Sequence, residues 1–190
     1  MKKLLLMILL LMVVATGCNK PILEKNNKKT EENIPEESIS EEVDEEELDL
    51  DIAIGKEAPN FTLKNLKDEE VSLSDYRGKI VLINFWSTGC TWCQKEMPDL
   101  EKLDKENDDL VVLAIDVMEK KETVENYIEK GKYEFEVLLD EDGEIAMTYL
   151  ISGFPTSYFV DKEGILLGGV PGYMTYEQME SILNNIREEE

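Results

Sequence analysis

Two apolar runs decide the architecture available to this chain. Lys79-Ile-Val-Leu-Ile-Asn-Phe-Trp86 and Leu110-Val-Val-Leu-Ala-Ile115 are near-continuous, rich in β-branched and aromatic residues, and of strand length. A strand without a polar face must be covered on both sides, which is the setting of a parallel sheet between helices. Parallel neighbours need a crossover, and the segment between the runs supplies one. Over residues 91–107 the apolar positions Cys93, Met97, Leu100 and Leu103 step by three and four, so they define one face of a helix. Pro98 falls inside that helix and is expected to kink it.

The remaining segments fit around this core. Asn60-Phe-Thr-Leu and Val71-Ser-Leu alternate as edge strands about a polar turn at residues 67–70. A helix over residues 120–130 should end against Gly131, followed by a short strand at 135–139 and a short helix at 145–150. Residues 156–160 and 165–170 read as a hairpin around Asp161-Lys-Glu-Gly164. Thr175 caps a last amphipathic helix, with Tyr176, Met179, Ile182, Leu183 and Ile186 on its inner face. This order predicts an α/β domain over residues 52–190. Its central mixed sheet is flanked by helices, carries an N-terminal β-hairpin extension, and is parallel at its start and antiparallel at its finish.

The N-terminal region is of another kind. Lys2 and Lys3 precede an uninterrupted apolar run over residues 4–15. That run is too short for a hydrocarbon core, which needs about 20 residues, but it suits a signal-peptide h-region. It closes on Ala15-Thr16-Gly17-Cys18, which resembles the lipobox of bacterial lipoproteins, where the cysteine is lipidated on sulfur and becomes the new N-terminus. The alternative is an ordinary secretory signal with an incidental cysteine. Residues 1–17 are then the signal peptide and 18–51 a tether. From Glu31 to Asp51 there are twelve acids and no Lys or Arg. Such a stretch cannot bury enough apolar surface to offset chain entropy, and its like charges keep it extended. The net charge of −23 argues against a nucleic-acid partner and against adhesion to anionic lipid. A lipid anchor on Cys18 would therefore hold the domain at the outer side of a cell membrane.

The chain has three cysteines and no histidine. Any Ser-His or Cys-His dyad is thereby excluded, and the commonest metal ligand is missing. Cys90 and Cys93 stand where the first buried run hands over to its helix. A disulfide across so small a loop adds little stability, so its value is redox. Cys90 lies at the helix N-terminus, where unpaired N–H groups and the helix dipole favour the thiolate. Cys93 lies one turn on, on the core-facing stripe, and should be shielded. Cys90 is then the attacking sulfur and Cys93 the resolving one. A zinc half-site would need further ligands; an inert structural disulfide is the plainer alternative. Glu96 falls beside the buried stripe, where desolvation would raise its pKa and let it exchange a proton with Cys93. Otherwise it is a first-turn glutamate stabilised by the dipole.

Four motifs occur in register: Ala58-Pro-Asn-Phe-Thr-Leu, Leu73-Ser-Asp-Tyr-Arg-Gly-Lys-Ile-Val-Leu-Ile-Asn-Phe-Trp86, Cys90-x-x-Cys93-x-x-Glu96-x-Pro98 and Gly153-Phe-Pro-Thr156. Together they resemble the TlpA/ResA-like branch of the thioredoxin superfamily, from Ile54 onward. The resemblance implies a thioredoxin fold, a cis Pro155 facing the cysteines, and thiol tuning by Glu96. It also implies that no cofactor is needed beyond the redox-active disulfide. Phe154 would pair, strand-like, with an incoming cysteine-containing segment. Asn84 stands where thioredoxin proper has a buried aspartate. Two positions depart from the pattern: Gly89 replaces the usual Trp before Cys90, and Trp92 replaces the usual proline between the cysteines. Trp92 is either a contact for partners or a packing aromatic, and Trp86 reads as core or site wall.

The leading expectation is a monomeric reductase of disulfides in exported proteins, re-reduced by a membrane electron donor. The resemblance suggests apocytochrome c or repair enzymes for oxidised proteins as clients. A peroxidase is the second reading, because the Ala58-Pro-Asn-Phe opening is shared with peroxiredoxins. Against it, Ser87 stands three before Cys90 and the upstream proline of those enzymes is missing. A lipoprotein binding module with a vestigial cysteine pair is the third. Asp140-Glu-Asp-Gly-Glu144 reads as a turn rather than a calcium loop. Met97, Met147, Met174 and Met179 read as packing, not as a metal site.

Overall fold

The computed structural model describes residues 52–189. The expected signal peptide (1–17) and the expected lipidated Cys18 with its acidic tether (18–51) lie outside them. One seven-stranded sheet runs through the domain. Its strands are β1 (Thr62–Asn65), β2 (Glu70–Ser72), β3 (Ile80–Trp86), β4 (Leu110–Val117), β5 (Glu136–Asp140), β6 (Thr156–Val160) and β7 (Leu166–Pro171). Their spatial order is β2-β1-β5-β4-β3-β6-β7. The helices are α1 (Thr91–Glu106), α2 (Lys121–Gly131), α3 (Glu144–Thr148) and α4 (Tyr176–Glu189). β3, β4 and β5 are parallel, while the β1–β2 hairpin and the β6–β7 hairpin join them antiparallel. The mixed thioredoxin-type sheet is therefore present, with its N-terminal hairpin.

β3 is buried along its whole length because it is covered twice. Ile80, Leu82 and Trp86 pack with Met97, Leu100 and Leu103 of α1 and Met179 and Leu183 of α4. Val81, Ile83 and Phe85 pack on the opposite face with Phe61 and Tyr149. Each such side chain contributes about 1.5–3 kcal/mol when fully buried, so the central strand is the best-anchored part of the fold. It is also the strand that ends at the cysteine pair.

The structure departs from the sequence-based elements where tertiary pairing decides. β1 is not an edge, because it lies between β2 and β5, with Lys64 opposite Leu139. It begins at Thr62 because Phe61 turns into the core. β4 runs on to Val117, carrying Asp116 inside. α2 closes on Lys132, in the left-handed conformation (φ 57°), one residue beyond Gly131. A side chain at Gly131 would strike the Tyr133 ring, 2.2 Å from its Cβ. α1 runs through Pro98, which lies on its exposed side. The Thr175 cap forms as a reciprocal pair: its N–H donates to Gln178 Oε1 (2.9 Å), and the Gln178 N–H donates to Thr175 Oγ1 (3.4 Å).

Candidate functional site

The fully buried β3 ends at Trp86, residues 87–89 turn, and α1 starts at Thr91 with Cys90 as its N-cap. Cys90 is extended (φ −85°, ψ 111°), and its sulfur accepts the Cys93 N–H at 3.1 Å. A disulfide joins the two residues, with Cα atoms 5.2 Å apart. Their surroundings differ. Cys93 is 1% exposed within the α1-side core, whereas Cys90 is only partly covered. In the reduced state that Cys93 N–H and the positive end of the α1 dipole would favour a thiolate at Cys90.

Glu96 is fully buried on the stripe itself rather than beside it. Its Oε2 accepts from Asn84 Nδ2 (3.0 Å) and its Oε1 from the Met174 N–H (2.7 Å). Asn84 Nδ2 also donates to Ser157 Oγ (2.9 Å), which ties β3, α1, β6 and the segment before α4 together. Burial pushes the Glu96 carboxyl up to about 7, against the lowering effect of those two hydrogen bonds. A carboxyl poised there exchanges its proton near neutral pH.

The Phe154–Pro155 peptide is cis, and Pro155 is buried. The register sets Thr156 opposite Phe85, so Pro155 lies at the same end of the sheet as the turn that leads to Cys90. Phe154 and Trp92 both keep exposed ring surface. Trp92 lies 5.8 Å from the Tyr173 ring, and Lys95 Nζ sits 4.1 Å over it. Trp86 is core, tilted against Tyr127 at 5.3 Å. Asp140 accepts from the Ile145 and Ala146 N–H groups, so the acidic turn caps α3. Of the four methionines read as packing, Met97, Met174 and Met179 are buried and Met147 is exposed.

Two acids near the cysteines escaped the sequence reading. Asp116 ends an apolar strand, where an acid looks like the start of a loop, yet it is buried. Glu119 accepts from Thr88 N–H (2.5 Å) and Thr88 Oγ1 (2.6 Å), in the turn before Cys90. The signal that finds Asp116 is its phase, since it is in step with Val112 and Ala114.

Known proteins give this arrangement a context. The AhpC/TSA family matches residues 54–167. Thiol-disulfide oxidoreductase ResA of Bacillus thuringiensis is 38% identical over 135 residues, covering 70% of this chain and 78% of that protein. The exposed lipoprotein thioredoxin of Streptococcus pneumoniae superposes with a TM-score of 0.62 at 31% identity, covering 67% of this chain and 99% of that one. A thiol:disulfide interchange protein from a Bacteroides species superposes with a TM-score of 0.63 at 29% identity, covering 72% and 91%. With a disulfide at the head of α1 in the same fold, the chain belongs to the AhpC/TSA family of the thioredoxin superfamily and is a ResA-like thiol-disulfide oxidoreductase.

Proposed function

We propose that this protein reduces disulfides in exported, cysteine-containing proteins. The carrying observation is the asymmetry of the pair: Cys90 is partly open at a helix N-terminus while Cys93 is 1% exposed. The Cys90 thiolate attacks one sulfur of the client disulfide, and the other leaves as a thiolate that takes a proton. Cys93 then gives its proton to Glu96, and its sulfur attacks Cys90. This closes the Cys90–Cys93 bond and releases the second client sulfur. Two electrons pass to the client. The first released sulfur takes a proton from solvent, and the second takes the one held by Glu96, which returns to its ionised form. A membrane electron donor restores the dithiol. Trp92, Phe154 and Pro155 form the client-facing rim, with Phe154 pairing to the client backbone. Apocytochrome c and repair enzymes for oxidised proteins are fitting client classes. The lipobox-like Cys18 and the acidic stretch would hold a monomeric domain off the outer membrane surface, and the pneumococcal neighbour described as a lipoprotein supports that placement.

Stopped-flow kinetics of the reduced protein test the chemistry. A peptide disulfide should oxidise it rapidly, through a mixed-disulfide intermediate, and hydrogen peroxide only slowly. Faster consumption of peroxide would favour the peroxidase reading instead. Cell fractionation tests the anchor: the Cys18→Ala chain should leave the membrane pellet, and retention there would sink the lipoprotein assignment.

A further inference from the structure

The face of the sheet that packs against Cys93 holds a second buried acid. Along β4, Val112 and Ala114 belong to the core with Trp86 and Cys93, whereas Leu113, Ile115 and Val117 belong to the opposite one. Asp116 is in phase with the first set, and its parallel register partner is Trp86. It is 1% exposed, and neither of its carboxyl oxygens has a hydrogen-bond partner of normal geometry. An ionised carboxylate in that position has little to offset its desolvation. A neutral acid needs only an acceptor, and the Glu119 carboxyl, just past the strand end, is the neighbouring group that acts on it most strongly. Glu119 in turn takes both donors of Thr88, while Gln94 Nε2 donates to the Thr88 carbonyl at 2.8 Å. The turn that presents Cys90 is thus held through Thr88.

We propose that Asp116 is a positioning residue: as a neutral acid its O–H donates a hydrogen bond to the Glu119 carboxylate, and this acid–carboxylate pair clamps Thr88 and the turn that presents Cys90. The proposal rests on Cys90 being the attacking sulfur. Around Asp116 the titratable groups are Glu119 beyond β4, Asp140 at the end of β5, Cys93 of α1 in the same core, and Tyr127 of α2 against Trp86. Burial first, and then the Glu119 carboxylate, push Asp116 up to about 8. Burial opposes ionisation of Glu119 as well, but its bonds to Asp116 and Thr88 hold it below the usual carboxylate range. The pair therefore keeps one shared proton through neutral pH and loses it in mild alkali, where two adjacent carboxylates repel.

The test is NMR of the full chain with side-chain carboxyl carbons and the Thr88 amide followed from about pH 6 to about pH 9, together with Cys90 alkylation of the reduced protein. In the parent chain the Asp116 carboxyl and the Thr88 amide should titrate together, and Cys90 alkylation should fall as they do. Asp116→Asn replaces the acid proton with an amide donor that cannot titrate. It should keep the neutral-pH alkylation rate, hold the Thr88 amide constant and abolish the alkaline fall. An Asp116 carboxyl titrating in the ordinary acidic range, or a Thr88 amide that still shifts in Asp116→Asn, would overturn the clamp. Labelling of Cys93 in place of Cys90, with the joint titration intact, would overturn the assignment of the attacking sulfur instead. Thr88 is read in the oxidised protein, so the two failures are separable.

Discussion

Replacing Cys93 with serine is expected to turn the protein into a trap that accumulates mixed disulfides through Cys90. The half-open Cys90 sulfur keeps its helix N-terminus, so the first exchange proceeds. The second has lost its nucleophile. Cys90→Ser should trap nothing, because Cys93 is 1% exposed and no client sulfur reaches it. In both variants turnover of a peptide disulfide should fall by on the order of a thousandfold or more, since each removes a group that forms a bond in the cycle. Non-reducing gels followed by mass spectrometry of the adducts check the result. Adducts on Cys93 in the Cys90→Ser chain would reverse the roles assigned above.

Glu96→Gln carries the second large effect, and it separates chemistry from stability. The glutamate loses a proton more easily in the unfolded chain, at about 4.5, than in the folded one, at about 7. Between those values the folded state binds more protons than the unfolded state, so stability falls as pH rises through that window. The loss is complete above the folded value. It amounts to about 3 kcal/mol, since each tenfold difference in proton affinity between the two states is worth roughly 1.4 kcal/mol. The glutamine variant should lack this decline and be the more stable protein in mild alkali, as read by urea unfolding at a series of pH values. Its amide can be accommodated: Asn84 Oδ1 is buried without a donor, so turning the Asn84 amide lets it accept from the new Nε2. The resolving step should slow by about a hundredfold, because the proton acceptor proposed for Cys93 is gone. Unchanged cysteine titration and an unchanged rate of client release would remove Glu96 from the mechanism, whatever the stability did.

Much of the site was legible because its logic is local. An N-cap cysteine and a second one turn on are unequal by helix geometry alone, since position one fixes exposure and position four the core stripe. Glu96 was placed near the stripe for the same reason. Its full burial was not legible, because its partners Met174 and Asn84 come from distant parts of the chain. Asp116 was missed because an acid after an apolar run has the local signature of a turn. Only the pairing of β4 with β3 and β5 shows that the strand continues beneath it.

The same division holds for the whole molecule. Sequence periodicity by itself determined the two central parallel strands, the crossover helix and the closing hairpin and helix, because these depend on spacings of a few residues. It also determined which cysteine caps the helix. Only the tertiary structure decided that β1 sits inside the sheet, that α2 closes on Lys132, and that two carboxyls lie buried on the cysteine side. Strand order and desolvation are set by which surfaces meet across the fold, and no local spacing encodes that.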